Sequence, residues 1–219
     1  MTGTAPVIGV DESGKGDYFG PLVIAGVLVD DKSTAKLENL KIRDSKLISD
    51  NRVKVLAKEI LKYTVSSVVV ILPEKYNELH AKMKNLNKML AWGHARVIED
   101  LLEKRTDCNR VISDKFGKDS FIKSALMKKG RTAELVFEIK AEKYFAVAAA
   151  SVLARAVFLK ELEELSKTIG FILPKGASKE AESGAEKLYR ERGFDIFNSI
   201  AKVHFKTTQK IKAKETLFR

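Results

Sequence analysis

The stretch Val7-Ile8-Gly9-Val10-Asp11-Glu12-Ser13-Gly14-Lys15-Gly16-Asp17-Tyr18-Phe19-Gly20-Pro21 constrains this chain more than any other. An apolar β-type run ends in two adjacent carboxylates, and Leu22 to Val29 follows as a second run, apolar on both faces. So short a turn between two strands predicts an antiparallel pair. The second run predicts a central, doubly covered strand. Gly14 and Gly16 let backbone N–H groups approach a phosphate. Lys15 between them brings positive charge suited to a polyanion.

The rest alternates strand and helix signals. A strand is expected over 6–11 and another over 22–30, followed by a mixed connector from Leu37 to Leu47. Ser49 or Asp50 caps a helix running to about Lys62. Thr64 to Leu72 is β-branched and reads as a strand ended by Pro73. Pro73 to Glu103 is helical in composition, Arg110 to Asp114 is a short strand, Lys118 to Lys129 a helix and Glu134 to Ile139 a strand. Lys143 to Leu159 is alanine-rich and apolar nearly all round, which predicts a buried helix, continuing into the amphipathic segment Lys160 to Lys167. Ser178 to Arg192 is a helix ended by Gly193, and the tail is helical from about Thr207. This order predicts an α/β fold with a mixed five-stranded sheet flanked by helices and a helical C-terminal portion. With 219 residues, 45% hydrophobic, and no linker-like tract, one domain over 1–219 is expected.

Composition narrows the class. The chain carries 40 Lys+Arg against 29 Asp+Glu, a net charge of +11. That balance fits a nucleic-acid partner, and equally a well-solvated surface. No apolar run approaches the roughly 20 residues of a membrane span, so no membrane partner is expected. Cys108 is the single cysteine, which rules out an internal disulfide and makes the cytoplasm the default compartment. A monomer is expected.

Three segments far apart in sequence each deliver a carboxylate near a strand end: Asp11 with Glu12, Asp114, and Glu142 at a strand-to-helix turn. Clustered carboxylates raise one another's pKa unless cations intervene. Mg2+ takes a few carboxylates plus phosphate oxygens. Two such ions about 3.5–4 Å apart suit phosphodiester hydrolysis. A plainer reading stands beside each: a solvated strand-end turn for Asp11 and Glu12, a turn before Phe116-Gly117 for Asp114, and an ordinary first-turn acid for Glu142. Adjacent strand residues point to opposite faces, so a shared site for Asp11 and Glu12 requires the strand to break there. His94, alone on its helix, reads as a surface or half-buried histidine.

The run Asp11-Glu12-Ser13-Gly14-Lys15-Gly16-Asp17-Tyr18-Phe19-Gly20-Pro21 resembles the opening motif of the type 2 ribonucleases H, most of all ribonuclease HIII. Further agreement lies in Arg43-Asp44-Ser45-Lys46-Leu47, Leu72-Pro73 with Lys75-Tyr76-Asn77, Asn85-Leu86-Asn87-Lys88-Met89, Lys140-Ala141-Glu142 with Ala148-Ala149-Ala150-Ser151, Leu173-Pro174-Lys175-Gly176-Ala177 and Val203-His204-Phe205. The resemblance implies a ribonuclease H-like fold and a metal-dependent endonuclease that cuts the RNA strand of RNA–DNA hybrids, leaving 5′-phosphate and 3′-hydroxyl ends. It implies Asp11, Glu12, Asp114 and Glu142 as catalytic and metal-binding acids, with Mg2+ or Mn2+ as cofactor. Glu142, where ribonuclease HII carries Asp, favours the HIII branch.

The resemblance also assigns substrate contacts. Backbone N–H groups of Ser13, Gly14, Lys15 and Gly16 are expected against 2′-hydroxyls and phosphates, since the 2′-hydroxyl is what distinguishes RNA from DNA. Lys15, Lys46 and Lys175 are expected at phosphates, Asn85, Asn87 and Lys88 along the DNA strand, and Ser151 near the minor groove. Two features depart from ribonuclease HIII. Its usual N-terminal substrate-binding domain has no counterpart before the first strand, so hybrid affinity is expected from the basic surface. Gly14-Lys15-Gly16 is closer to the Gly-Arg-Gly of ribonuclease HII, whose action at single ribonucleotides is the alternative activity, although no tyrosine stands in Gly170–Ala177. Another two-metal nuclease of the same fold is the remaining alternative.

Overall fold

Strand β1 (Val7–Ser13) pairs antiparallel with β2 (Leu22–Val29), from Val7 opposite Val29 to Ser13 opposite Val23. All eight residues of β2 are buried, as its two-sided apolar pattern predicts. The computed structural model describes residues 5–42, 45, 48–114, 116–117, 119–127 and 129–217. It divides into two compact units: Met1–Ser13, Val23–Val69 and Asn85–Val157 in the first; Gly14–Leu22, Val70–Lys84 and Phe158–Arg219 in the second.

The first unit carries the sheet, apart from the end residues of two strands. After β2, Asp30 and Ser33 form a capping box that starts α1 (Asp31–Leu37). Ser49 caps α2 (Asp50–Tyr63), which leads to β3 (Val65–Ile71). Pro73 opens α3 (Pro73–Met83), and α4 (Leu86–Lys104) follows. Then come β4 (Arg110–Asp114), α5 (Asp119–Ala125), β5 (Glu134–Glu138) and the long helix α6 (Phe145–Ile169). The sheet order is β3-β2-β1-β4-β5, with β1, β4 and β5 mutually parallel. The expected mixed five-stranded sheet is therefore present.

Missing side chains set how closely the helices approach this sheet. Gly9 of β1 lies against the backbone of Ala146 and Val147 in α6, so no methyl group fits there. On the other face, Gly26 meets Val97 and Leu101 of α4, and Gly93 of α4 meets Ile24. Odd residues of β1 thus face α6 and even ones face α4.

Three details differ from the sequence reading. Helix α1 falls almost wholly between the expected strand 22–30 and the connector from Leu37, where the sequence carries no element signal, because its start depends on a local Asp–Ser box and not on apolar periodicity. Pro73 to Glu103 is two helices: Lys84 turns left-handed (φ 50°), and Asn85 accepts from the Asn87 and Lys88 amides to start α4. Strand β1 does not break at its carboxylates but runs on through Ser13, and the turn comes at Gly14 (φ 88°), where a side chain would meet the Pro21 carbonyl.

The second unit is built on the buried aromatics Tyr18, Phe19, Tyr76 and Phe197. Around them lie α3, the end of α6, α7 (Lys179–Arg192), α8 (Phe197–Ile200) and α9 (Lys206–Leu217). Asn77 of α3 donates to the Ala201 carbonyl (2.9 Å) and accepts from the Val203 amide (3.1 Å), which ties α3 to the end of α8. No helix among the described residues is long and apolar enough to cross a membrane.

Candidate active site

Parallel pairing of β1 with β4 ends at Val10 beside Ser113, so Asp11 and Asp114 are the next residues on neighbouring strands. Asp11 shares the α6 face with Gly9, and on α6 the buried Ser151 hydrogen-bonds its carboxylate. Asp114 accepts from the Ala141 amide (3.1 Å) at the foot of a short turn, Ala141–Lys143. That turn is aimed by Lys140, held left-handed at φ 58° just after β5. Glu142 is the next residue on the turn and is half-buried. Its backbone is thus fixed beside Asp114.

Glu12 points the other way, toward α4. Its carboxylate lies 3.2 Å from Nε2 of His94, whose side chain is completely buried. Nδ1 of His94 lies 3.1 Å from the Ser113 hydroxyl, and the ring packs 4.6 Å from that of Phe116. Both ring nitrogens of His94 thus have a polar partner, and the Ser113 hydroxyl itself donates to the Asp114 carbonyl (3.2 Å). The two adjacent acids therefore occupy opposite faces at the end of one unbroken strand.

Charge accumulates here. Burial, and then the negative charge of Glu12, push the Asp11 carboxyl up from 3.8 to about 8; Asp114 adds to this, while the Glu12 amide and Ser151 pull it down. Among the described residues no three His, Cys, Asp or Glu side chains converge tightly enough to ligate one ion. The donor chemistry nonetheless suits a hard divalent cation, which binds through one or two carboxylates completed by water and phosphate oxygens. Asp11 and Asp114, side by side on neighbouring strands, offer oxygen atoms of that kind.

The expected substrate residues are scattered in character. Ser13 ends β1, Gly14 is buried, Lys15 is half-buried and Gly16 is exposed with open space around it. Asn85 is engaged as the α4 cap, Asn87 lies against Gly117, and Lys88 is exposed. Lys175 is exposed in its loop. Ser151 is 4% exposed and bonds Ser45 Oγ at 2.8 Å as well as Asp11, so its place is beneath the acids. Lys46 lies outside the described residues.

Sequence reasoning undervalued His94 and passed over Ser113. The signal was there: Leu90, His94, Val97 and Leu101 share one stripe of α4, and a histidine in an apolar stripe is buried for a polar partner. His94→Phe keeps the ring beside Phe116 but removes both hydrogen bonds. We expect turnover to fall by about 10–100-fold, the scale on which losing the partner that orients a functional carboxylate is felt. Unchanged steady-state kinetics would show that Glu12 is held without His94.

A family model described as Ribonuclease HII matches residues 8–208. Ribonuclease HIII of Protochlamydia amoebophila is 44% identical over 209 residues, 95% of this chain and 69% of that protein. Ribonuclease HIII of Chlamydia abortus is 43% identical over 94% of this chain and 69% of its own length. Among solved structures, Bst-RNase HIII in complex with Mn2+ superposes with a TM-score of 0.88 at 35% identity, covering 96% of this chain and 70% of that one. Ribonuclease H2 from Pyrococcus horikoshii gives 0.79 at 26% identity, covering 95% and 98%. Sequence and fold agree: the chain belongs to the type 2 ribonuclease H family, which holds ribonucleases HII and HIII.

Proposed function

We propose that this protein is an endoribonuclease that hydrolyses the RNA strand of RNA–DNA hybrids, using two divalent ions, Mg2+ or Mn2+, and leaving 5′-phosphate and 3′-hydroxyl ends. Residues 1–219 act as one catalytic domain, as a monomer in the cytoplasm. The observation that carries this reading is the crowding of acids around Asp11, whose carboxyl is raised to about 8 by burial, by the charge of Glu12 and by Asp114 on the neighbouring strand.

Bound divalent ions supply activation of water and stabilisation of the departing ribose oxygen. The chain's own residues supply the rest. Asp11 and Asp114 provide oxygen donors on the α6 face, the first oriented by Ser151 and the second by the Ala141 amide. Glu12 is steered by His94, and Glu142 is presented by the turn after Lys140. Lys15 and Lys175 contact phosphates, and the Ser13 to Gly16 amides meet the ribose 2′-hydroxyl.

A substrate panel tests this. Hybrid carrying many ribonucleotides, duplex DNA carrying one, plain duplex DNA and a four-way junction are each incubated with Mg2+ or Mn2+. Cleavage of the first is expected. Cleavage of the second alone would move the enzyme to junction specificity, which the Gly14-Lys15-Gly16 turn favours. Cleavage of the junction alone would indicate another two-metal nuclease, and no cleavage at all would indicate a binding module.

Affinity for hybrid falls with salt, because phosphate contacts release counterions. Lys15→Ala weakens binding to all sequences similarly and lowers the slope of log K against log salt by about 1. An unaltered slope would remove Lys15 from the phosphate contacts.

A further inference from the structure

Lys202 has none of its surface exposed to solvent. Its Nζ donates to two main-chain carbonyls, those of Asp17 (2.9 Å) and Gly20 (2.7 Å). Its backbone amide donates to the Tyr18 carbonyl (2.9 Å), and the Gly20 amide donates back to Ile200 (2.9 Å). The turn after the Gly14-Lys15-Gly16 segment is thus stitched, atom by atom, to residues 200–202.

The same turn is held a second time. The Tyr18 amide donates to the Gly176 carbonyl (2.9 Å), and the Gly176 amide donates to Asp17 Oδ1 (2.6 Å). The Tyr18 hydroxyl meets Thr208 Oγ1 at 3.0 Å inside the aromatic cluster. Lys15 lies two residues before Asp17, and Lys175 one residue before Gly176. The network ties together the two loops that present these lysines.

Burying an ammonium is costly, and here burial pushes the amine down to about 7, partly opposed by Asp17. The Tyr76 ring, 5.6 Å away, and His204 are the other polar groups facing it. An apolar residue would avoid that cost but would orphan two carbonyls. The neutral amine still has two N–H donors, one per carbonyl, so the bridge persists in either protonation state.

We propose that Lys202 is a positioning residue for substrate binding: by holding the Asp17 and Gly20 carbonyls it fixes the turn beside Lys15 and, through Tyr18 and Gly176, the spacing between Lys15 and Lys175. The two cations then meet hybrid phosphates at a set separation. This rests on the reading above that both lysines contact the hybrid backbone.

Lys202→Met keeps the stem and removes the donors. We expect KM for hybrid to rise about tenfold while kcat stays within about threefold, the mark of lost uniform binding. Lys15→Ala, made in that background, has little further effect, because the pair acts as one unit. A lower melting temperature with unchanged KM, or a full additive loss from Lys15→Ala, would overturn the proposal and leave Lys202 a stability residue. If wild-type protein binds no hybrid, it is the functional reading that fails.

A measurement on wild-type protein covers the case in which the variant does not fold. With 13Cε-labelled lysine, the Lys202 signal is assigned by its loss in Lys202→Arg protein, which keeps the charge and the donors. Its shift moves when hybrid is added in EDTA; a signal indifferent to saturating hybrid overturns the proposal.

Discussion

Asp11→Asn abolishes hydrolysis: the rate on hybrid falls by roughly 10³-fold or more, the scale on which loss of one preorganised charged group appears in kcat. Binding of hybrid, measured by anisotropy, stays largely intact, since the phosphate contacts proposed above come from Lys15 and Lys175. A variant with full activity would remove Asp11 from the site. The same substitution has an opposite effect on stability. The Asp11 pKa is raised in the folded protein from 3.8 to about 8, so between these values the folded state holds more protons than the unfolded one. Stability present below about pH 4 is therefore lost as pH rises toward 8 in the metal-free protein. Asparagine has no such dependence. In EDTA at pH 8 the variant melts above the parent protein; at pH 4 the difference vanishes. Added Mg2+ raises the melting temperature of the parent protein and not of the variant.

Gly9→Ala destabilises the protein by about 3 kcal/mol or more, the range reserved for core substitutions that cannot be relieved by a side-chain rotation. A methyl group at residue 9 overlaps the backbone of Ala146 and Val147, so α6 itself has to retreat. For a chain of this size that corresponds to a fall of about 10 °C in melting temperature. Gly16→Ala is the control, because nothing lies within 4 Å of the added methyl. Equal melting temperatures for the two variants would show that α6 has room to move. Whatever Gly9→Ala protein folds is expected to be a poor catalyst as well, because Ser151 rides on the displaced helix.

Much of this was legible in the sequence, and what was not has physical reasons. Sheet content and the antiparallel β1–β2 pair follow from apolar runs joined by a short turn. The buried α6 follows from its alanine-rich composition, while its full length to Ile169 hides a change from buried to amphipathic partway along. Helix α1 was invisible to periodicity because it depends on Asp30 and Ser33 alone. The break between α3 and α4 rests on one left-handed lysine, a conformation that lysine sequence does not announce. For the acids, the sequence marks strand ends but not faces. Sharing a site seemed to demand a break between Asp11 and Glu12; the strand instead continues, and the two residues diverge toward α6 and α4. Glu142 was placed at a turn, and it is there, but the role of Ala141 in holding Asp114 is a backbone contact that no side-chain pattern encodes.

That divergence has a practical consequence. Because Asp11 and Glu12 hang on either side of one ribbon, each is oriented by a different helix, Asp11 by Ser151 of α6 and Glu12 by His94 of α4, while their charges still act on each other. An engineer can therefore alter the aim of one acid and read the effect on the other through charge alone. Repacking around Gly93, Val97 and Leu101 re-aims Glu12 while leaving the Ser151 hydroxyl in place under Asp11, and changes along α6 do the reverse.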